Sequence, residues 1–463
     1  MGWRMVASLK ITMAVGVALL LGGCMLTPRG TQQEQSQLDR SGASYEVPVE
    51  QRELPQLSDT PTWREVLHRA FLANGDLEAS WFEWKAAMKR IDMAGTWPNS
   101  NVQIGFEYMF SSERMKSWDR TTVTAGFDPS MTLSLPNKVA KNAEVALENA
   151  RVAGHRFETA KFDLQKRVLT SYLDLALAEE MVRIRRDNVS LLQLVSQSAE
   201  NRVQAGGPQQ DLLKAQIEYR IAENELANLE AEVRTMRSML NGMLARDPQS
   251  PLDVKALPEP RPLPVDDARL IAAGVDQNPE LSRLASEVAG RQDALELARL
   301  AYLPDINPAG GFTGTISQTL GAMVMLPTTI PMIRARIEES RAMLKSTQAM
   351  ARQTQRDRAA SFVANLYAMR NAERQAVLFE QRILPLAQQA LDSSRQAYAA
   401  GTVGFVELID AQRTLLDVRT MIAEARIERE KRLAEMEALA GVDIETLAAA
   451  STTRPSTTQA AVP

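Results

Sequence analysis

The sequence predicts a mainly α protein with a small β part: long helical hairpins of coiled-coil type joined to four membrane-spanning strands per chain. Three observations carry this reading. Two stretches about 195 residues apart share one pattern, each contains a run of 70 positions suited to helix, and each contains a pair of strand-like segments of alternating polarity.

The chain opens with MGWRMVASLKITMAVGVALLLGGCM, in which Arg4 and Lys10 precede an uncharged run from Ile11 to Leu21. That run is too short to be a spanning helix and reads as a secretory signal. The tetrad LGGC, Leu21 to Cys24, resembles the lipobox of bacterial lipoproteins, which implies cleavage before Cys24 and lipidation of its thiol. Met25 follows the cysteine; by the same resemblance, the absence of Asp there favours the outer membrane. An ordinary cleaved signal with an incidental thiol is the alternative. Cys24 is the single cysteine, so no disulfide or CxxC site can form within one chain, and His68 and His155 are the two histidines. A histidine-rich metal site is therefore not expected. Without residues 1–23 the chain has 51 basic and 57 acidic residues, an excess of acid without basic clusters that argues against nucleic acid.

Sliding the sequence over itself exposes a duplication. ANGDLEAS (73–80) matches QNPELSRL (277–284), and TLSLPNKVAKNAEVA parallels TTIPMIRARIEESRA, with Pro136 on Pro331 and Gly206 on Gly401. Near KAQ (214–216) and DAQ (410–412) the offset grows from 195 to 196. Each half is expected to hold a helix of about 35 residues ending at Trp97-Pro98 or Leu303-Pro304, then a strand pair, a very long helix to the glycine, and about forty more helical residues. Seventy residues of continuous helix would reach about 105 Å, which excludes a single compact core.

The second long helix shows its packing stripe. Phe362, Leu366, Met369, Ala372, Ala376, Phe379, Ile383, Leu386 and Ala390 recur by threes and fours, with charged residues on the other faces. Pro385 lies within this stripe and should kink the helix. The acidic residues spread along the helices read as solvated.

In NVQIGFEYMF, Val102, Ile104, Phe106, Tyr108 and Phe110 alternate with polar or small residues; Val123, Ala125, Phe127, Met131, Leu133 and Leu135 do so in the next segment. Such alternation suits transmembrane barrel strands, and equally a half-buried soluble hairpin. An export signal and the lack of another long apolar run favour the barrel. The second pair, 27 positions between Pro304 and Pro331 against 38 between Pro98 and Pro136, is shorter and its alternation weaker, kept by Leu320, Ala322, Val324 and Leu326. Four strands cannot close a barrel, so several copies must share one.

With the duplication, the helix-strand-strand-helix order and the two glycine-centred turns in view, the chain resembles the TolC-like outer-membrane factor family over nearly all of residues 61–441. LSLP, TIP and the pairing of LP with a strand hairpin look most like its heavy-metal-efflux branch. The resemblance implies a homotrimer with a twelve-stranded barrel, a helical tunnel through the periplasm, and a periplasmic adaptor and inner-membrane pump as partners. Outer-membrane lipid would hold the acyl group of Cys24. No cofactor is implied. AYAAGTVGFVELIDAQ (397–412) aligns without gaps with the periplasmic turn of the second half of TolC, placing Tyr398, Gly401, Thr402, Glu407 and Asp410 on its motif. Those acids would ring the tunnel's inner mouth and the tyrosine would help tie it shut. Val403 replaces the arginine of that tie. In the first turn, NRVQAGGPQQDLLKAQ, Arg202 and Gly206 match while Asp211 lies one residue early, which puts its pairing with Tyr398 in doubt. Independently of the family, a reversing helical hairpin calls for glycine at a left-handed position, and acids are favoured at the start of any helix.

These readings divide the chain into a signal peptide (1–23), a lipid-anchored extended segment (24–60), a first repeat (61–258, strand hairpin at about 101–136, tip near 206), a second repeat (264–445, strand hairpin at about 304–331, tip near 401) and a disordered tail (446–463). Nothing points to catalysis: GGFTGT (310–315) lacks the helix and acid of a dinucleotide site, and no HExxH, GxSxG or P-loop pattern occurs. The 21 methionines suit helix seams better than copper or silver handling. The leading expectation is a passive outer-membrane duct of a tripartite efflux or type I secretion system. A lipidated periplasmic adaptor is the alternative, opposed by two equivalent hairpins where adaptors have one, and a structural coiled-coil lipoprotein is a third reading, opposed by the strand pairs.

Overall fold

A computed structural model describes residues 25–97, 102–110, 115–127, 134–254, 257–261, 263, 266–268, 270–271, 278–315 and 317–444. The signal peptide, Cys24 and the tail 446–463 lie outside the described residues. Two compact units result: Met1–Ala43, Ser80–Phe157 and Glu280–Thr354 form the first, and Ser44–Ala79, Glu158–Pro279 and Gln355–Pro463 the second.

In the first unit, the segment expected to be extended instead carries helix α1 (Thr31–Gly42). Its sequence, TQQEQSQLDRSG, is polar, and its partners decide the outcome. Trp81 donates its indole N–H to the carbonyl of Leu38 at 3.2 Å, and Trp84 donates to the Glu34 carboxylate at 3.1 Å. Gly42 allows the approach, since a Cβ there would stand 2.0 Å from Nε1 of Trp81. Both tryptophans belong to α3 (Gly75–Ala94), which follows α2 (Trp63–Ala73). The single helix of about 35 residues expected here is thus broken at Asn74, whose side chain caps α3 by accepting from the Leu77 N–H at 3.0 Å.

Four strands, β1 (Val102–Tyr108), β2 (Thr121–Phe127), β3 (Asp305–Thr313) and β4 (Ser317–Met325), form an antiparallel meander in chain order. The described strands are nine residues long in the second pair and seven in the first, and Met131 and Leu133, expected to continue the first pair, lie outside the described residues. Register places Phe106 beside Val123 and Val123 beside Phe312, while Gly105 faces Thr124 and Thr124 faces Gly311. One face is therefore largely apolar and the other, apart from Met323 and Met325, small or polar. Ile104 and Phe106 are each 73% exposed on the apolar face, which no soluble half-buried hairpin would leave bare. No helix among the described residues is long and apolar enough to cross a membrane.

Helix α4 (Pro136–Gln204) runs 69 residues without interruption and contributes to both units. Helix α5 (Gln209–Met243) returns from it, α6 (Pro279–Leu300) opens the second half, and α7 (Ile330–Leu378) leads through a π turn at Phe379–Ile383 into α8 (Leu384–Ala399) and then α9 (Phe405–Ala440). The π turn answers Pro385. Proline has no N–H for the usual i−4 carbonyl, and the neighbouring Leu384 N–H bonds instead to the carbonyl of Phe379, five residues back. One extra residue in the turn shifts the apolar stripe by one. Phe362, Leu366, Met369, Ala372 and Ala376 are buried as the periodicity predicts, but beyond the turn Ala387 and Leu391 are buried while Leu386 is 64% exposed. Leu386→Glu should consequently change the melting temperature little, whereas Leu391→Glu should cost several kcal/mol by burying a lone carboxylate. Equal effects in thermal unfolding would contradict the shifted register.

Not all helical acids are solvated. In the second unit, Glu430 and Glu437, seven residues apart on α9, are 4% and 1% exposed. Both bond to Arg261, which reaches Glu430 Oε2 at 2.9 Å through Nε and Glu437 Oε1 at 2.9 Å through Nη1. Arg429 also pairs with Glu430, and the Trp63 ring stacks 5.4 Å from the Arg261 guanidinium. The sequence reading missed this cluster because its cation comes from the Pro-rich linker LPEPRPLP (257–264).

Candidate functional site

The two hairpin tips, at Gly206 and Gly401, lie in the second unit and are built by the same backbone device. Helix α4 ends with Gly206 at φ 91° and α8 with Gly401 at φ 75°. In each, the glycine N–H bonds three residues back, to Val203 or Tyr398, and the following N–H bonds five back, from Gly207 to Arg202 or from Thr402 to Ala397. This double bond pattern closes the last helical carbonyls and needs a left-handed residue, for which glycine carries no Cβ cost. Thr402 adds its hydroxyl to the Ala397 carbonyl at 3.0 Å.

The returning helices repeat with the offset of 196. Asp211 and Glu407 are each the third residue of their helix, α5 and α9. Glu407 accepts from the Gly404 N–H at 2.8 Å, a cap bond. Asp211 cannot copy it, because the equivalent residue is Pro208, which has no N–H. Asp410 stands in the second turn of α9, is exposed, and has no ion-pair partner among the described residues. Lys214 holds the corresponding position in the first hairpin.

Between the tips lies an apolar cluster that includes Leu192, Val195, Ala215, Leu391, Phe405 and Leu408, with Tyr398 only 2% exposed within it. Phe405 meets the Tyr398 ring edge-on at 6.2 Å. Arg202, from the other hairpin, places its guanidinium 4.3 Å from the Tyr398 ring centre and donates to the Tyr398 carbonyl at 3.2 Å. The contact is cation–π, with the guanidinium over the ring. The Tyr398 hydroxyl is buried without a hydrogen-bond partner among the described residues, and burial raises the phenol's pKa. Val403, standing where the family tie has arginine, packs against the apolar cluster. The structure thus joins Arg202, Tyr398 and Gly401 but does not hydrogen-bond Tyr398 to Asp211, and it leaves Asp410 apart. Phe405 was missed, although an aromatic residue seven positions after Tyr398 is a packing signal in a helical hairpin.

The contacts of Arg202 with Tyr398 and the shared apolar cluster make this a joint between hairpins. Comparison with known proteins decides the class: the model for the outer membrane efflux protein family matches residues 66–246 and 270–442. The chain belongs to the outer membrane efflux protein family. Its family is one of channels, and the chain is an outer-membrane component of an efflux system. Among similar relatives, the cobalt-zinc-cadmium resistance protein CzcC of Cupriavidus metallidurans is 24% identical over 65% of this chain and 73% of its own length. The probable outer membrane lipoprotein SilC of Salmonella typhimurium is 22% identical over 80% of this chain and 83% of its own. The solved structure of the outer membrane protein VceC from Vibrio cholerae superposes with a TM-score of 0.68 at 14% identity, covering 82% of this chain and 96% of that one. This efflux protein therefore has the fold of outer-membrane channels, with long helical hairpins and a small membrane sheet.

Proposed function

We propose that three copies of this efflux protein form one passive duct, each giving four strands to a twelve-stranded barrel and its helical hairpins to a periplasmic tunnel. The observation that carries this is the sheet: four strands in the order β1-β2-β3-β4, with an exposed apolar face and edges at β1 and β4 that lipid cannot satisfy. Sharing the edges between copies pairs every strand. Cys24 carries the lipid that anchors the N-terminal segment. A periplasmic adaptor and an inner-membrane pump engage the Gly206 and Gly401 tips and open them.

In this duct, the copies of Glu407, Asp410 and Asp211 lie around the axis at the inner mouth, where their mutual repulsion and cation attraction shape the entrance. Arg202 on the Tyr398 ring ties the two hairpins of one copy together, in place of the arginine that Val403 replaces. Channels reconstituted in planar bilayers should conduct ions and be blocked from the inner side by multivalent cations. Replacing Glu407 and Asp410 with Ala should weaken that block about tenfold or more; unchanged block would remove both residues from the entrance. The similarity to the cobalt-zinc-cadmium resistance protein CzcC favours metal cations as cargo, selected by the pump. Greater sensitivity of a deletion strain to cobalt, zinc or cadmium supports this; ordinary tolerance to all three counts against it.

A further inference from the structure

The first unit contains a cavity of about 680 Å3 between the start of the described chain and helices α4 and α6. Its volume is in the range of small-molecule sites, about 300–1,000 Å3. Its wall is of mixed character. Met25, Leu26 and Leu147 give it an apolar side, Arg29 a positive edge, and Glu144 and Asp293 a negative one.

Its position follows from hydrogen bonds. Leu26 donates its N–H to the Gly95 carbonyl at 2.9 Å, which fixes the residues after Cys24 at the end of α3, seven positions before β1 begins. Gly95 is required there, because a Cβ would stand 2.3 Å from the Leu26 carbonyl oxygen. Lys138 of α4 reaches Asp305, the first residue of β3, at 2.8 Å. Ala140 and Glu144, on the cavity wall, lie about 3 and 9 Å further along that helix by its rise per residue. The polar layer beyond the hydrocarbon core is about 5–8 Å thick on each side, so the cavity opens at headgroup depth beside the strand feet.

The charges are partly committed. Lys141 pairs with Glu144 and Asp293, and Arg151 with Glu148, while Arg29 has no ion-pair partner among the described residues. A purely anionic headgroup would meet the Glu144 and Asp293 carboxylates. A zwitterion with a phosphate for Arg29 and an ammonium for Glu144 meets both signs.

We propose that this cavity binds the headgroup of a zwitterionic phospholipid of the phosphatidylethanolamine class, with its acyl chains beside those on Cys24. The site rests on the membrane orientation of the duct. It gives the N-terminal segment a second, non-covalent attachment to the leaflet.

Native mass spectrometry of the full lipidated chain in non-ionic detergent tests this, with dioleoyl phosphatidylethanolamine and dioleoyl phosphatidylglycerol added separately. One phosphatidylethanolamine per chain should be retained about tenfold more strongly than phosphatidylglycerol, and Arg29→Glu, which removes the cation for the phosphate, should lower retention of phosphatidylethanolamine about tenfold or more. Glu144→Lys should reverse the preference toward phosphatidylglycerol. Equal retention of the two lipids, retention unchanged by Arg29→Glu, or displacement by inorganic phosphate would overturn the site. Conductance of the same samples reads the duct separately. Conducting trimers without selective lipid binding defeat the lipid site alone, and the absence of conducting trimers defeats the duct.

Discussion

Replacing Arg261 with Ala is expected to destabilise the protein by about 3–5 kcal/mol at pH 8, the cost of removing one partner of a buried ion pair. Glu437 would keep its burial and lose both bonds from Nη1, at 2.9 and 3.1 Å, and Glu430 would lose the bond from Nε. Burial already pushes the Glu437 carboxyl up to about 7, against the pull of Arg261. Because its folded pKa lies above the ordinary carboxylate value, Glu437 contributes stability that is complete below about pH 4.5 and lost as pH rises through about 7, on the order of 3 kcal/mol across that window. The Arg261→Ala deficit should therefore be large at pH 8 and shrink toward pH 5, as protonation relieves the uncompensated Glu437 carboxylate. Glu437→Gln should flatten the wild-type pH dependence between these limits. Thermal unfolding followed by circular dichroism across pH 5 to 8 reads both, and a deficit independent of pH would show that the buried carboxylates are not its cause.

That cluster also marks where reading the sequence stops. Glu430 and Glu437 are spaced by seven, as seam residues are, but an acid on a seam is recognisable as buried only once its cation is known. The cation lies 169 residues before Glu430, in a linker with no periodicity of its own. Helix α1 is hidden for a similar reason. Its composition is polar, and what holds it is the indole N–H groups of Trp81 and Trp84 acting with the bare Cα of Gly42. The Gly206 and Gly401 turns, in contrast, depend on a local backbone requirement that glycine alone meets cheaply, and the 195-residue offset between them was visible without coordinates. Pro385 is intermediate. Its missing N–H announces a disturbance, but relief by a π turn, which moves burial from Leu386 to Ala387, depends on how the following helix must face its neighbours. At the tips, the residue types could be aligned with a family motif, whereas the use of Arg202 on the ring of Tyr398 required the two hairpins to be seen side by side.

An arginine at Phe106 should abolish membrane assembly. Phe106 stands near the middle of β1, 73% exposed, on the face it shares with Val123 and Phe312. If that face meets lipid, a cation near the bilayer midplane costs about 2–4 kcal/mol per strand, and three copies in the proposed trimer raise the cost to about 6–12 kcal/mol, comparable to the whole net stability of an ordinary domain, about 5–15 kcal/mol. The opposite face supplies the control. Gly321 of β4 alternates away from Val324, pairs with Ala309, and has no atom within 4 Å of where a Cβ would stand. Gly321→Arg therefore adds its charge to the small or polar face, toward water in the duct, and should leave insertion intact. Heat-modifiable trimer in the outer-membrane fraction should disappear for Phe106→Arg and persist for Gly321→Arg. The reverse result would turn the sheet inside out, and equal tolerance of both would mean that neither face meets lipid, because an arginine cannot be cheap in hydrocarbon.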